Sequence, residues 1–176
     1  MKKLMLFAVV AVFGLFNVNA QETSFGVLGG LSIHSAKAES GGFSATTSET
    51  GFHIGGFAQI GISEEFSVQP ELTYSIAGDL AMFSLNAIAK YNVSEEFNIQ
   101  LGPQVGLVGG DLGDALDATD DTTKMNLQLA AGVGYDINED IFVQARYGFQ
   151  LNDHYTGDGD ASWKINTLSV GVGYKF

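Results

Sequence analysis

Hydrophobic and polar residues alternate one by one along most of this chain. In the run 52–62, Phe, Ile, Gly and Ala occupy every second position, and small or polar residues lie between most of them. A period of two places successive side chains on opposite faces of an extended strand. After the N-terminal segment no comparable 3.6-residue pattern appears, so the pattern predicts an all-β protein. The alternating runs cover 24–34, 52–62, 66–76, 81–93, 97–107, 125–137, 141–151 and 167–176.

The connections between these eight runs also alternate. Three are tight acidic turns, at 63–65, 94–96 and 138–140. Between them lie the longer connections 35–51, 110–124 and 152–162, together with a short one at 77–80. Short turns at one end and longer loops at the other are typical of a transmembrane β-barrel.

The polar face of the runs indicates which side meets water. It consists mainly of Gly, Ser, Asn and Gln, whereas a water-exposed strand face normally carries many Lys and Glu. A soluble sandwich or lipocalin-like barrel would also alternate, with its apolar face inward. Small neutral residues instead suit the crowded lumen of a narrow barrel, and Tyr and Phe lie near strand ends as in membrane-interface girdles. The pattern therefore predicts an eight-stranded antiparallel up-and-down transmembrane β-barrel.

Four residues stand out within the predicted strands. Pro70 and Pro103 each remove a ladder hydrogen bond, and a closed barrel has no edge to hold them, so we expect bulges there. Ile88 and Phe142 belong to the lumen face near the turns and are expected to plug that end of the barrel.

The first twenty residues are typical of an export signal. Lys2 and Lys3 precede an uncharged apolar stretch, 4–16, which is too short to span a membrane as a helix. A small residue, Ala20, ends the segment. We therefore expect a cleaved signal peptide at 1–20 and one barrel domain at 21–176, with both termini and the tight turns in the periplasm and the long connections outside.

Composition excludes several classes of function. The chain has no Cys, which excludes a disulfide scaffold, thiolate metal sites and Cys nucleophiles. Its formal net charge of −12, from 8 Lys+Arg against 20 Asp+Glu, argues against nucleic acid as a partner. A hydrophobic fraction of 45% argues against a disordered chain.

Several segments carry a resemblance to a known family. The C-terminal residues Ser169, Gly171, Tyr174 and Phe176 resemble the assembly signal of outer-membrane barrels. The segment 89–103 resembles the PorT-like, porin-family "outer membrane protein beta-barrel domain". The resemblance covers the whole mature chain and implies a bacterial outer-membrane barrel of the OmpA/OmpX type. It also implies contact with outer-membrane lipid, lipopolysaccharide, periplasmic chaperones and the barrel assembly machinery, but it implies no activity.

The candidate site is a set of charges on the polar face. Glu71, Lys90, Asp136, Arg146 and Lys175 all lie on lumen-facing positions. Buried charges need partners, so we expect a salt-bridged network that holds the barrel shut, with Glu71 paired to Arg146 across the lumen. A gate or proton path is the alternative.

Metal binding has two candidate locations. His34 and His53 flank the first long connection, and a His pair could bind a metal or act as a pH switch. Because no carboxylate lies nearby on those faces, we expect hydrogen-bonded lumen histidines and no metal. The external acidic loops could bind divalent cations weakly and bridge lipopolysaccharide. Their carboxylates are Asp111, Asp114, Asp117, Asp120, Asp121, Asp153, Asp158 and Asp160.

No enzymatic motif stands out. His154 beside Asp153 is a possible catalytic position at the external rim, but the chain has no G-x-S-x-G, H-E-x-x-H or phosphate-binding loop. We expect no catalytic residue and no cofactor. The leading hypothesis is a structural or surface-interaction barrel with a plugged lumen and an unidentified surface ligand; the alternative is a narrow channel or transporter for small solutes.

Overall fold

A computed structural model describes residues 23–157 and 159–176 of the chain. The expected signal peptide and Asp158 lie outside these residues. The described part forms one closed antiparallel barrel in which every strand pairs with its sequence neighbours and β1 pairs with β8, as predicted. Its strands are β1 (Thr23–Ser40), β2 (Phe43–Gly61), β3 (Phe66–Ala77), β4 (Leu80–Asn92), β5 (Phe97–Gly109), β6 (Met125–Asp136), β7 (Ile141–Gln150) and β8 (Ser162–Lys175).

The barrel has an apolar outside and a largely polar inside. Outward residues such as Phe52, Ile54 and Val172 are more than half exposed, while the inward Gln69 and Asn98 are almost fully buried. A closed ladder satisfies the backbone groups of each strand within the wall, which a lipid environment requires. The face assignment predicted from the alternation is therefore confirmed.

The two ends of the barrel differ. We call the end with the connections 62–65, 93–96 and 137–140 the turn end; it also holds Thr23 and Phe176. The opposite end, with the connections 41–42, 78–79, 110–124 and 151–161, is the loop end.

The prediction of bulges at the two prolines is wrong. Pairing pauses for two residues on one side of each Pro, and the offset between the strands is the same before and after each pause. No residue is inserted in either strand. Each Pro lacks the N–H that would bond to one of its two neighbouring strands, so only the pairing on that side is interrupted. The pauses lie between Phe57↔Glu71 and Ile60↔Val68 for Pro70, and between Asn86↔Gln104 and Ala89↔Leu101 for Pro103.

The first long connection is not a loop. Segment 35–51 continues β1 and β2 into an extended hairpin that closes at Gly41 and Gly42, both with positive φ. Glycine adopts this left-handed conformation without a steric penalty, and two such residues form the tight turn that suits a hairpin. The alternation of Ser, Thr, Ala and Glu here is polar on both faces, so a hydrophobic period could not reveal the strand.

The second long connection contains a helix that the pattern did not predict. Helix α1 (Gly110–Asp117) begins directly after β5 and buries Leu116. No helix among the described residues is long and apolar enough to cross a membrane. The eight residues of α1 are too few for a 3.6-residue period to be distinguished in the sequence.

Candidate functional site

The lumen begins at the turn end with an aromatic plug. The rings of Phe57 and Phe142 meet edge to face with 5.5 Å between centroids, and Leu28 packs against them. Gly26 and Gly173 make this possible, since a Cβ on either would lie within 2.3 Å of a Phe ring carbon. A separate polar recess of about 810 Å³ lies at the turn end, between the acidic turns and Lys175.

One ion pair lies above the plug. Arg146 Nη2 is 2.9 Å from Glu71 Oε1, and their side chains are 4% and 0% exposed. Gln69 Nε2 donates to Glu71 Oε1 over 2.7 Å, and Asn86 Nδ2 donates to Glu71 Oε2 over 3.1 Å. Gly132, directly opposite Arg146, leaves room for the long side chain. The carboxylate thus has one cationic partner and two amide donors.

A second ion pair closes the same end. Lys175 Nζ is 2.9 Å from Asp136 Oδ1, and both side chains are about one fifth exposed. Asn98 donates to Asp136 Oδ2 over 3.2 Å, and Gln100 donates to Asn98 over 2.9 Å. This chain of contacts links β8, β6 and β5 across the lumen.

Lys90 belongs to neither ion pair. Its ammonium donates to Gln59 Oε1 over 3.1 Å and to Gln69 Oε1 over 3.3 Å, and it lies 4.8 Å from the centre of the Phe142 ring. Amide oxygens and an aromatic face therefore replace a carboxylate around this charge. Four of the five predicted lumen charges pair, and the fifth is held by neutral groups and the plug.

The middle of the lumen is neutral and holds a small cavity of about 50 Å³. His34 Nδ1 lies 3.1 Å from Thr167 Oγ1, while His53 contributes a second imidazole to the lining. The two histidines do not face each other in the hairpin register, because His34 lies opposite Glu49 and His53 opposite Gly30. Within the described residues no group of three or more His, Cys, Asp or Glu is arranged to hold a metal ion.

An apolar cap closes the loop end. Leu116 of α1 is 2% exposed and packs in a cluster with strand residues of β4, β5 and β8. The Leu112 N–H donates to the carbonyl of Asp79 over 3.3 Å, which ties α1 to the β3–β4 turn. The cluster consists of Leu80, Met82, Val108, Leu116 and Ile165, with Ala36, Leu112 and Trp163 beside it.

The third long connection supports this cap through His154. His154 is fully buried, its Nδ1 lies 2.7 Å from the Thr123 carbonyl, and its Nε2 lies 3.3 Å from Asn126 Nδ2. The carbonyl can only accept, so Nδ1 carries the proton and Nε2 accepts from the amide. Burial, the largest influence, lowers the pKa of His154 despite the opposing effects of Thr123 and Asp153.

Asp153 organises the same loop from outside the lumen. Its carboxylate accepts hydrogen bonds from the backbone of Tyr155 and Trp163 and from the Ser162 hydroxyl. Burial acts to raise its pKa, but these hydrogen bonds and nearby Lys164 outweigh burial and lower it. Asp153 and His154 thus have structural partners at the rim, where the sequence offered them as a possible catalytic position.

The remaining sequence candidates lie at the surface or in the wall. Asp111 and Asp114 are exposed on α1, and Asp117 forms an ion pair with Lys124 over 2.5 Å. In the C-terminal segment, Tyr174 and Phe176 point outward with 47% and 73% of their surface exposed. Ser169 and Gly171 pair with Arg146 and Gln144 of β7.

Two parts of the site escaped sequence reasoning. The cap depends on contacts between two connections distant in sequence, 110–124 and 151–161, which a local pattern does not reveal. The β-bridge between Thr122 and Tyr155 is one such contact. The plug partner Phe57 did lie on the predicted polar face, and its size among small residues was the available signal.

Comparisons with known proteins agree with this architecture. The family model described as "Outer membrane protein beta-barrel domain" matches residues 6–176, and it does not select the narrower PorT-like group. The crystal structure of Ail, the attachment invasion locus protein of Yersinia pestis, is 15% identical with a TM-score of 0.54, covering 88% of this chain and 99% of Ail. A second Ail structure, in complex with the heparin analogue sucrose octasulfate, gives 15%, 0.51 and the same coverage.

Another solved structure shares the fold. Neisserial surface protein A is 21% identical with a TM-score of 0.52, covering 88% of this chain and 99% of that protein. No protein of curated function matches the chain. At these identities the structural likenesses establish the barrel fold alone.

Proposed function

This chain belongs to the outer membrane protein beta-barrel domain family, and we propose that it is a closed barrel that serves a structural or surface-interaction role. Its location in the bacterial outer membrane, in contact with lipid, follows from the family. The proposal adds that the lumen does not conduct solutes and that the loop end carries the interaction surface. The narrower PorT-like grouping remains a prediction from segment 89–103.

The filled lumen is the observation that carries the proposal. The aromatic plug, two ion pairs, a cavity of about 50 Å³ and the apolar cap follow one another from the turn end to the loop end. An eight-stranded barrel is just wide enough for side chains to fill its interior. A solute path would require the plug, the ion pairs and the cap to open together.

The extended hairpin supports the surface role. Residues 37–50 are exposed, and β2 has no pairing partner in β3 before Phe52. Phe43 at the tip is 85% exposed. A polar hairpin with one exposed aromatic residue at its tip is suited to contact with a molecule outside the membrane.

The orientation and assembly belong to the same proposal. We place the loop end outside the cell and both termini in the periplasm, after removal of a signal peptide at 1–20. The barrel assembly machinery and periplasmic chaperones would then bind the C-terminal segment with Ser169, Gly171, Tyr174 and Phe176. Protease added to intact cells should cleave an accessible site inserted at Gly41–Gly42; cleavage only after lysis would reverse this orientation.

The charge of the chain limits the class of ligand. Ail has been solved with a sulfated heparin analogue, but this chain has a formal net charge of −12. We therefore propose a cationic or neutral surface ligand, or lipopolysaccharide bridged by divalent cations at the acidic loops. No catalytic role is proposed, since His154 has both ring nitrogens engaged.

Planar-bilayer conductance tests the closed lumen. The reconstituted wild type should give no reproducible conductance steps. The variant that combines Phe57→Ala, Phe142→Ala and Leu116→Ala with Glu71→Gln and Arg146→Gln should conduct, because the plug, the buried ion pair and the cap are all removed. Phe83→Ala, on the lipid face with 46% exposure, is the matched control and should stay closed. A stable ohmic conductance in the wild type would make the narrow channel the better proposal.

A further inference from the structure

The polar recess at the turn end has the size of a site for a small molecule. Its volume is about 810 Å³, within the range of about 300–1,000 Å³ that is typical of ligand sites. The ends of β1, β2, β3, β4 and β8 and the turns 62–65 and 137–140 supply its lining. The recess is therefore the mouth of the barrel at this end, and most of the residues around it are polar.

A buried hydroxyl group in this mouth has no partner. Ser67 is 5% exposed and lines the recess, and its Oγ makes no hydrogen bond within the part of the chain that the structure describes. Buried polar groups are normally satisfied, so each one left over needs an explanation. A molecule in the recess that carries N–H groups would satisfy this oxygen.

The charge of the lining selects the class of molecule. Three carboxylates line the recess, those of Glu64, Glu139 and Asp140. Among residues 23–157 and 159–176 none of the three forms an ion pair. The one cation of the lining, Lys175, is already paired with Asp136 over 2.9 Å. Three uncompensated negative charges around one recess favour a ligand that carries several positive charges.

The topology of the barrel selects a long ligand over a compact one. Glu64 lies in the turn between β2 and β3, whereas Glu139 and Asp140 lie in the turn between β6 and β7. Two strands separate these turns in either direction around the closed sheet, so the turns lie on opposite sides of the mouth. Strands about 4.8 Å apart and tilted by about 40° give an eight-stranded barrel a backbone diameter of roughly 16 Å. A single metal ion cannot contact both sides, but a linear chain with an ammonium group at each end can.

We propose that the turn-end recess binds a linear oligoamine. One ammonium end lies at Glu64, the other lies at Glu139 and Asp140, and an N–H group between them donates to Ser67 Oγ. The site lies at the opposite end of the barrel from the extended hairpin. It therefore depends neither on what the loop end binds nor on whether the barrel conducts.

Isothermal titration calorimetry of the folded mature protein in a nonionic detergent tests the site. Spermidine, a linear triamine, is the probe, and diaminopropane and Mg²⁺ are the comparison ligands at the same ionic strength. Both comparison ligands are doubly charged, but neither is long enough to reach the two turns together. We expect one spermidine per chain, and affinities for diaminopropane and Mg²⁺ that are weaker by about 10-fold or more, since each contacts one turn only.

Matched variants locate the bound amine. Glu64→Gln and Asp140→Asn should each weaken spermidine binding by about 2–5-fold, as expected for exposed ion pairs. Ser67→Ala should weaken it by about 2–10-fold through the lost hydrogen bond. Glu95→Gln is the control: it removes the same charge from an acidic turn at the same end, but Glu95 does not line the recess. This control should bind as the wild type does.

The outcomes separate a built site from general attraction to an acidic protein. Heat-modified mobility on gels identifies folded variants, and Glu64→Gln decides the result if Ser67→Ala does not fold. Equal weakening by Glu95→Gln and Glu64→Gln would overturn the proposal, because only net charge would then matter. Absence of spermidine binding, or equal affinity for spermidine and diaminopropane, would also overturn it.

Discussion

The two halves of the lumen are closed by different physical means. The turn-end half holds all five predicted lumen charges and an aromatic plug, with 2.9 Å between Arg146 Nη2 and Glu71 Oε1. The loop-end half is neutral, contains the cavity of about 50 Å³, and is sealed by α1 and the rim loops. Strand residues alone close the first half, whereas the second requires side chains from the connections.

This difference shows where a narrow barrel can hold charge. A buried carboxylate is tolerated where facing strands supply a cation and amide donors, as Arg146, Gln69 and Asn86 do for Glu71. At the loop end the neighbouring residues are neutral, and apolar burial by Leu116 performs the closure. Four predictions test this contrast.

The largest expected effect is at the charged half. Arg146→Gln should lower the free energy of unfolding by about 3–5 kcal/mol, because it leaves the buried Glu71 carboxylate without its cation. The measurement is reversible unfolding in lipid, extended to Glu71→Gln and the double variant. Lys37→Gln breaks the exposed Lys37–Glu39 pair and should cost no more than about 1 kcal/mol. Strict additivity of the Glu71 and Arg146 changes would mean that the pair is not coupled.

The next effect concerns the lipid-facing wall that both halves share. Leu129 is 40% exposed on the outer face, and Leu129→Arg should cost about 2–4 kcal/mol near the membrane midplane. Unfolding in lipid vesicles provides the measurement. Leu129→Ala is the matched control, since it removes the same side chain without adding charge. A charged variant no less stable than the Ala variant would argue against lipid contact at this position.

A smaller and more local effect is expected at the loop-end cap. Leu116→Ala should destabilise the closed cap by about 2–3 kcal/mol, because the lost contacts leave a cavity in a small cluster. Hydrogen exchange of residues 110–124 should accelerate while the strand amides of the charged half remain protected. Leu112→Ala, where the side chain is only partly buried, should have a smaller effect. Equal acceleration in the whole barrel would show that the two halves unfold together.

The smallest effect is a pH dependence at His154. Its pKa in the folded protein lies below the ordinary value of 6.5, chiefly because of burial. A lowered pKa means that the neutral ring stabilises the cap above pH 6.5, and that this contribution declines as the pH falls from 6.5 toward the folded pKa. Amides of 152–157 should therefore lose protection in that window, after correction for intrinsic exchange rates. In His154→Asn the same amides should show no such step, and an unchanged step would assign it to another group.

The sequence alone was sufficient for the wall of the barrel. Strict alternation identified eight strands and both faces, since a period of two needs only local information. It also placed Glu71, Lys90, Asp136, Arg146 and Lys175 on the inner face, and Ile88 and Phe142 within the lumen. These residues follow directly from the phase of each strand.

Tertiary structure decided what fills and covers the barrel. Which inward residues meet depends on the shear and closure of the sheet, so only the three-dimensional fold separates Lys90 from the two ion pairs. The extended hairpin is polar on both faces and α1 has eight residues, so neither carries a readable hydrophobic period. Their positions result from pairing and burial between segments distant in sequence, as in the cluster that Leu116 and Ile165 share, which no local pattern encodes.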